Sequence, residues 1–417
     1  MPDGVPGLRD LLPDEAEALR AIQEATLAEM GRWGYRGVVT PMLESLDALA
    51  LGLGDEHRRR LFKLTDRDGG LLAVVGERTI PVARMVATRM RSAALPLRLS
   101  YAGPVLINDG GRFARSREMH QTGAELIGAS GPVADAEVIA MAVRCLAASG
   151  LQRYQVDVGH AEFFQGLLEG LDVSDEIRLG IRAALARRDF VQLAEILDRT
   201  PLQSAERELL LRFPALRGGP EILDVASGLV RNQRSARALE QLAAVHQLLG
   251  AHGLAGRVSL DLGAIRDFDY YTGIIFEGYG PDLGRPLAQG GRYDRLLARF
   301  GRPAHATGFV LHLDLIAEAR RRAGDDPGAV RLDAAVAWGQ RGLESAVALG
   351  AGLRRRALRT VVATEPRSYE RSLAWAEEVG AANLLHLVEE DRVRWRLPGG
   401  EERRLDVDRA IEEVSAG

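Results

Sequence analysis

The chain has 417 residues, 46% apolar and 27% charged, which suits about two to three domains with cores of their own. Its net charge of −4 argues against a protein whose main work is gripping nucleic acid. The apolar runs are short and broken by Arg or Gly, which argues against a membrane span. Leu19, Ile22, Leu27 and Met30 recur at helical spacing between Pro13 and Gly31, predicting a helix over 14–33. A short strand over 37–41 ends at Pro41; 71–75 and 99–107 read as strands and 80–93 as a helix. Residues 116–128 alternate as a strand does. That pattern puts Glu118, His120, Thr122, Ala124 and Leu126 on one face. Met119, Gln121, Gly123, Glu125 and Ile127 fall on the other, so Gln121 and Glu125 point the same way.

A helix over 132–149 and a strand over 153–158 come next. Residues 161–255 are Leu- and Arg-rich with helical periodicity and read as a helical insertion. Strands over 257–263, 273–278 and 306–312 follow, with the glycine-rich stretch Gly278 to Gly291 among them. A helix over 312–323 leads into a linker from Arg320 to Gly328. The remainder alternates: strand 332–338, helix 342–355, strand 359–363, helix 368–379, strands 383–388 and 392–396, helix 407–415. The expected organisation is an α/β (α+β) first domain over 1–325 and a small α/β domain over 329–417.

Cys145 is the only cysteine and Lys63 the only lysine. One thiol builds neither a disulfide nor a thiolate metal cluster, and Cys145, among Met141, Ala142 and Leu146, reads as a small buried side chain. No P-loop, no metal-ligand histidine spacing and no nucleophile elbow occurs, so no metal is expected. Met1-Pro2-Asp3-Gly4 has no basic stretch followed by an apolar one, so no signal peptide is expected and the cytoplasm is the expected compartment. Two segments carry polar groups beside buried-looking strands. Ile265 to Gly273 holds Arg266, Tyr270 and Tyr271 against an apolar strand, and buried tyrosine hydroxyls need partners. Gln289 to Asp294 reads foremost as a tight turn, although its glycines would also let a backbone approach a ligand. Arg112 to Glu118 is an arginine-rich loop whose forks suit phosphate or carboxylate.

Taken together, Gly7 to Pro13, Tyr35 to Glu44, Tyr101 to Gly128, Arg266 to Glu277 and Gly308 to Ile316 resemble the catalytic core of class II histidyl-tRNA synthetase. The last four match motif 1, motif 2, the R-x-x-D-Y-Y-T block and motif 3. The resemblance implies an antiparallel sheet flanked by helices. It also implies histidine-contacting roles for Glu77, Thr79, Gln121, Glu125, Arg266, Tyr270 and Tyr271, and anion affinity at the loop arginines Arg115 and Arg117. Replacing Glu125 is expected to remove recognition while leaving the fold intact. Carboxylates suit an ammonium, and Tyr and Glu suit an imidazole.

Two departures bear on function. The motif 2 and motif 3 arginines that hold ATP in the synthetases are matched here by Ile107 and Leu315. Adenylation works by positioning and neutralising phosphate, and one such group is typically worth about 3 kcal/mol. The L-R-P-E-G-T segment reads Val74-Val75-Gly76-Glu77-Arg78-Thr79, so an arginine stands where that family has glycine. A histidine pocket without an ATP grip resembles the synthetase-derived regulatory subunits of ATP phosphoribosyltransferase. That resemblance implies no catalytic residue and no cofactor, with L-histidine as allosteric ligand. It implies a short-form catalytic subunit as partner, a homodimer within a hetero-oligomer, and neither membrane nor nucleic acid. A divergent histidyl-tRNA synthetase is the alternative. A transferase loading an amino acid onto a small acceptor is a third reading, and it too would need the missing arginines.

Overall fold

The computed structural model describes residues 4–108, 116–186, 189–230, 232–263, 271–324, 332–389, 391–397 and 399–416. The chain divides into two compact units, Met1–Asp10 with Leu19–Asp326 and Leu11–Ala18 with Pro327–Gly417. In chain order the elements are α1 (Pro13–Arg32), β1 (Arg36–Gly37), β2 (Leu43–Ser45), α2 (Leu46–Ala50), α3 (Asp55–Arg59), β3 (Lys63–Thr65), β4 (Leu71–Val74), α4 (Thr79–Thr88), β5 (Leu97–Leu106) and β6 (Glu118–Ile127). They continue with α5 (Pro132–Ala148), β7 (Gln155–His160), α6 (Ala161–Glu169), α7 (Asp175–Ala186), α8 (Phe190–Arg199), α9 (Ser204–Arg212), β8 (Arg217–Gly218), α10 (Glu221–Leu229) and α11 (Gln233–Ala251). Then come β9 (Val258–Asp261), β10 (Ile274–Tyr279), β11 (Pro286–Arg292), β12 (Ala306–His312) and α12 (Leu313–Arg322).

Among the described residues, nine strands form one sheet in the order β1-β5-β6-β12-β11-β10-β7-β9-β8. The β1–β5 and β7–β9 pairs are parallel and the other pairs antiparallel. This is the helix-flanked, largely antiparallel sheet that the sequence led us to expect. Period-2 alternation divides its faces. Ala124 and Leu126 of β6 pack into the cluster built on α5, whereas Leu99 and Tyr101 of β5 pack with Ile80 and Val86 of α4. Helix α5 starts at Pro132, just after Gly131 at φ 83°, and its Pro at the first position needs no N–H partner. Its Ile139, Met141 and Leu146 are fully buried, each contributing about 1.5–3 kcal/mol. Cys145 lies on the same helix, buried, with its thiol toward the Thr26 carbonyl.

The structure corrects the sequence reading in several places. The glycine-rich stretch before Gly291 contains strand β11, which sits at the centre of the sheet. Its sequence, Pro-Leu-Ala-Gln-Gly-Gly-Arg, has no β-branched residue, so propensity conceals it. Strands β2 and β3, which flank β4 in a small three-stranded sheet, were not expected. The stretch 161–255 is helical but for β8, a two-residue strand that pairs with β9 at the edge of the large sheet.

The second unit carries β13 (Leu332–Trp338), α13 (Leu343–Arg355), β14 (Thr360–Val362), α14 (Tyr369–Glu378), β15 (Ala381–Glu389), β16 (Arg392–Arg396), β17 (Glu402–Asp406) and α15 (Val407–Ala416). Its sheet runs β14-β13-β15-β16-β17, with β13 parallel to β14 and β15 and the β15–β16 and β16–β17 pairs antiparallel. Val336 and Leu385 pack toward α13 and α15; Ala335 and Leu384 pack toward α14. Strand β17, Glu-Arg-Arg-Leu-Asp, is too charged to announce itself in sequence. No helix among the described residues is long and apolar enough to cross a membrane.

Candidate functional site

A cavity of about 580 Å³ lies in the first unit, on the α4 side of the large sheet. That volume suits a small metabolite. Its wall comes from the β4–α4 junction (Glu77, Arg78, Thr79), β6 (Gln121), the β10–β11 hairpin (Glu277, Gln289), β12 (His312) and α12 (Leu315). Glu77, Thr79, Gln121 and Tyr271, all expected from the sequence, line it. So do Ile107 and Leu315, the two aliphatic positions. Arg115, Arg266 and Tyr270 lie outside the described residues.

Glu77 ends the turn into α4. Its carboxyl accepts from the backbone N–H of Thr79 at 3.1 Å and of Ile80 at 2.8 Å, so it caps the first helical turn. Burial nevertheless pushes it up to about 7, against the lowering effect of those donors.

Glu125 sits deeper than Gln121. It is on the same face of β6 as Gln121, but it lies behind the cavity wall at 1% exposure. Its two carboxyl oxygens accept from Tyr101 Oη at 3.1 Å and from Tyr293 Oη. Burial pushes it up to about 8, the tyrosine and Thr79 hydroxyls only partly opposing this. The room for it comes from β12: a Cβ on Gly308 would stand 1.7 Å from Glu125 Oε2. Glu125 is therefore part of the packing beneath the wall, because its neighbours on β5 and after β11 close over it.

A row of side chains crosses four adjacent strands. Gln121 Nε2 lies 3.5 Å from His312 Nδ1; His312 Nε2 lies 3.1 Å from Gln289 Oε1; Gln289 Nε2 donates to Glu277 Oε1 at 2.9 Å. The Tyr279 hydroxyl donates to the other Glu277 oxygen. Burial, followed by the charge of Arg285, pushes His312 down to about 4, so it is neutral at physiological pH. The Gln121 oxygen is buried and has no hydrogen-bond partner among the described residues.

Arg117 does not reach this wall. Its guanidinium stacks 4.4 Å over Phe62 and donates to Asn108 and to the Pro6 carbonyl. His120, on the opposite face of β6, is held by Asp314, whose hydrogen bond raises its pKa. Behind the hairpin, Arg292 and Asp135 form a buried pair at 2.8 Å, with Asp294 joining at 3.0 Å. Among the described residues, no group of three or more His, Cys, Asp or Glu side chains could hold a metal ion. Sequence reasoning missed Tyr101, Glu277, Tyr293 and His312 as parts of the site. The signal available for His312 was strand pairing: it faces Gln121 across β12 and β6.

The family model described as histidyl-tRNA synthetase matches residues 7–316. An ATP phosphoribosyltransferase regulatory subunit from Desulforamulus reducens is 38% identical over 387 residues, 93% of this chain and 96% of that protein. The chain belongs to the ATP phosphoribosyltransferase regulatory subunit family. A second family member, from Moorella thermoacetica, is 43% identical over 314 residues, covering 75% of this chain and 81% of its own. A crystal structure titled as an ATP phosphoribosyltransferase regulatory subunit/histidyl-tRNA synthetase from Bacillus halodurans matches with a TM-score of 0.81 at 30% identity. It covers 92% of this chain and 97% of that one. Histidyl-tRNA synthetase from Nostoc matches with a TM-score of 0.84 at 17% identity, a likeness of fold. Family membership thus joins a synthetase fold to a regulatory name.

Proposed function

We propose that this chain is the histidine-sensing, non-catalytic regulatory subunit of ATP phosphoribosyltransferase. It binds L-histidine in the first-unit cavity and works in the cytoplasm on a short-form catalytic subunit that carries the transferase chemistry. In this reading it is a homodimer within a hetero-oligomer, and histidine acts by binding one state of the assembly better than the other. The observation that carries the reading is the make-up of one wall. Glu77, Thr79, Gln121 and Tyr271 stand there together with Ile107 and Leu315. Acceptors for an ammonium and for ring N–H groups are retained, and the positions that hold ATP phosphate in the synthetases are aliphatic. Glu77, pushed up to about 7 by burial, becomes more fully ionised when a cationic ammonium arrives, which favours that ligand.

The alternative is an active, divergent histidyl-tRNA synthetase, favoured by the extent of the synthetase family match. Calorimetric titration of the full chain with L-histidine, repeated with ATP, separates the two. Histidine binding without ATP binding is expected. ATP binding strengthened by histidine would establish the synthetase instead. Absence of histidine binding, with the catalytic subunit present or not, would overturn the sensor reading.

A further inference from the structure

Among the arginines at the described wall, Arg60, Arg78 and Arg285, only Arg78 is buried, at 4% exposure. A buried guanidinium ordinarily has a carboxylate beside it, because desolvating a charge without compensation is costly. Arg78 has none among the described residues. Its Nη1 donates to Thr40 Oγ1 at 3.3 Å, and its Nη2 to the Pro104 carbonyl at 2.7 Å and Met42 Sδ at 3.0 Å. All three acceptors are neutral. Its Nε is buried with no partner among the described residues. Burial lowers its pKa, with only Tyr101 opposing.

Strand register fixes where this charge sits. A Cβ on Gly103 would fall 2.4 Å from Arg78 Nη2, so the guanidinium lies over the backbone of β5 at that glycine. Gly103 is directly opposite Gln121 on β6, and opposed residues of an antiparallel pair share a face. The Arg78 head is therefore next to Gln121, whose Oε1 also has no partner among the described residues. Among the described residues, a cationic donor lacking an anion and an amide acceptor lacking a donor thus lie at paired strand positions lining one cavity. An α-amino acid carries the two complements, a carboxylate and an ammonium, on one carbon.

We propose that Arg78 is the receptor for the carboxylate of the amino-acid ligand and sets the cavity's selectivity for a free carboxylate. The proposal rests on the reading of the cavity as an amino-acid site. The charge serves here from the β4–α4 turn, while position 107 on the far side of Pro104 is isoleucine. A charge-assisted pair in a dry site carries about 1.5–3 kcal/mol, which is tenfold or more in affinity.

The test compares L-histidine with histidinol, in which a hydroxymethyl group replaces the carboxylate, by calorimetry on the full chain. Wild type is expected to prefer histidine by about tenfold or more. Arg78→Met is expected to reduce that preference to within about twofold by weakening histidine more than histidinol. A retained tenfold preference in Arg78→Met would overturn the assignment. Should Arg78→Met not fold, as judged by its thermal melt, Arg78→Lys carries the comparison. Losing the planar fork is expected to cut the preference several-fold, and an unchanged preference overturns the assignment. Equal binding of both ligands by wild type would overturn the role of Arg78 and leave the amino-acid cavity standing. Binding of neither would overturn both.

Discussion

Glu125 offers the sharpest test of how the site is built. Its carboxyl takes the hydroxyls of Tyr101 and Tyr293, side chains that are each 2% exposed. In Glu125→Ala both hydroxyls lose their acceptor, at about 1–3 kcal/mol each, and the vacated volume adds a cavity cost. The hydroxyls alone give a loss of about 2–6 kcal/mol at about pH 5 before the cavity is counted, a large part of the 5–15 kcal/mol that typically separates folded from unfolded. Glu125→Gln keeps the volume and one carbonyl oxygen, so its loss should be about 1–3 kcal/mol. The pH dependence gives a second readout. The carboxyl titrates near 8 in the folded chain against 4.5 as a free group. Between those values the folded chain holds more protons than the unfolded one, so stability falls as pH rises. This contribution is complete below 4.5, is lost through about 8, and amounts to at most about 5 kcal/mol. Gln cannot titrate, so the stability gap between wild type and Glu125→Gln should close as pH rises from about 5 to 8.5 and then reverse, because the loss of up to about 5 kcal/mol in wild type exceeds the cost of about 1–3 kcal/mol for the substitution. Urea unfolding of the three proteins across that range is the assay. A gap that stays constant with pH, or an alanine variant within about 0.5 kcal/mol of wild type at about pH 5, would refute the reasoning.

Two other outcomes follow from the same geometry. Arg292→Leu strips the buried Asp135 of its main partner and should destabilise the chain by about 3–5 kcal/mol, seen as a lowered urea midpoint with an unchanged slope. A midpoint equal to wild type would mean that Asp135 simply takes up a proton at little cost. Ile107→Arg alone should give no histidine-dependent pyrophosphate exchange, since Leu315 remains aliphatic; measurable exchange would place the whole deficit at position 107.

Much of the fold was legible because its periodicities are local. The alternation along β6 put Gln121 and Glu125 on one face, and the structure keeps that face. Strand β12 runs over 306–312 as expected, and the second unit follows its predicted order up to β16. What escaped was non-local or propensity-poor. Strand β11 holds two glycines and a proline, and its place between β10 and β12 depends on partners rather than on its own residues. Glu125 keeps the predicted face and lies behind the cavity wall. Alternation says which way a side chain points; it does not say that Tyr101 and Tyr293 lie over it. Arg117 matched a loop arginine, yet Phe62 and Asn108, distant in sequence, claim its guanidinium.

The row from Gln121 to Glu277 has a direction, and one residue sets it. Glu277 accepts at both oxygens, from Tyr279 and Gln289. Gln289 has thereby committed its nitrogen and turns its oxygen to His312. A neutral His312 must then carry its hydrogen on Nε2, which leaves Nδ1 to accept from the Gln121 amide nitrogen. The Gln121 oxygen is what remains unmatched. A carboxylate on β10 thus works like a compass for an amide three strands away, and it decides that whatever meets Gln121 must arrive with a hydrogen to give. With glutamine at position 277 the anchor is gone. Both amides and the imidazole could then invert together, and the same pocket would ask for the opposite group.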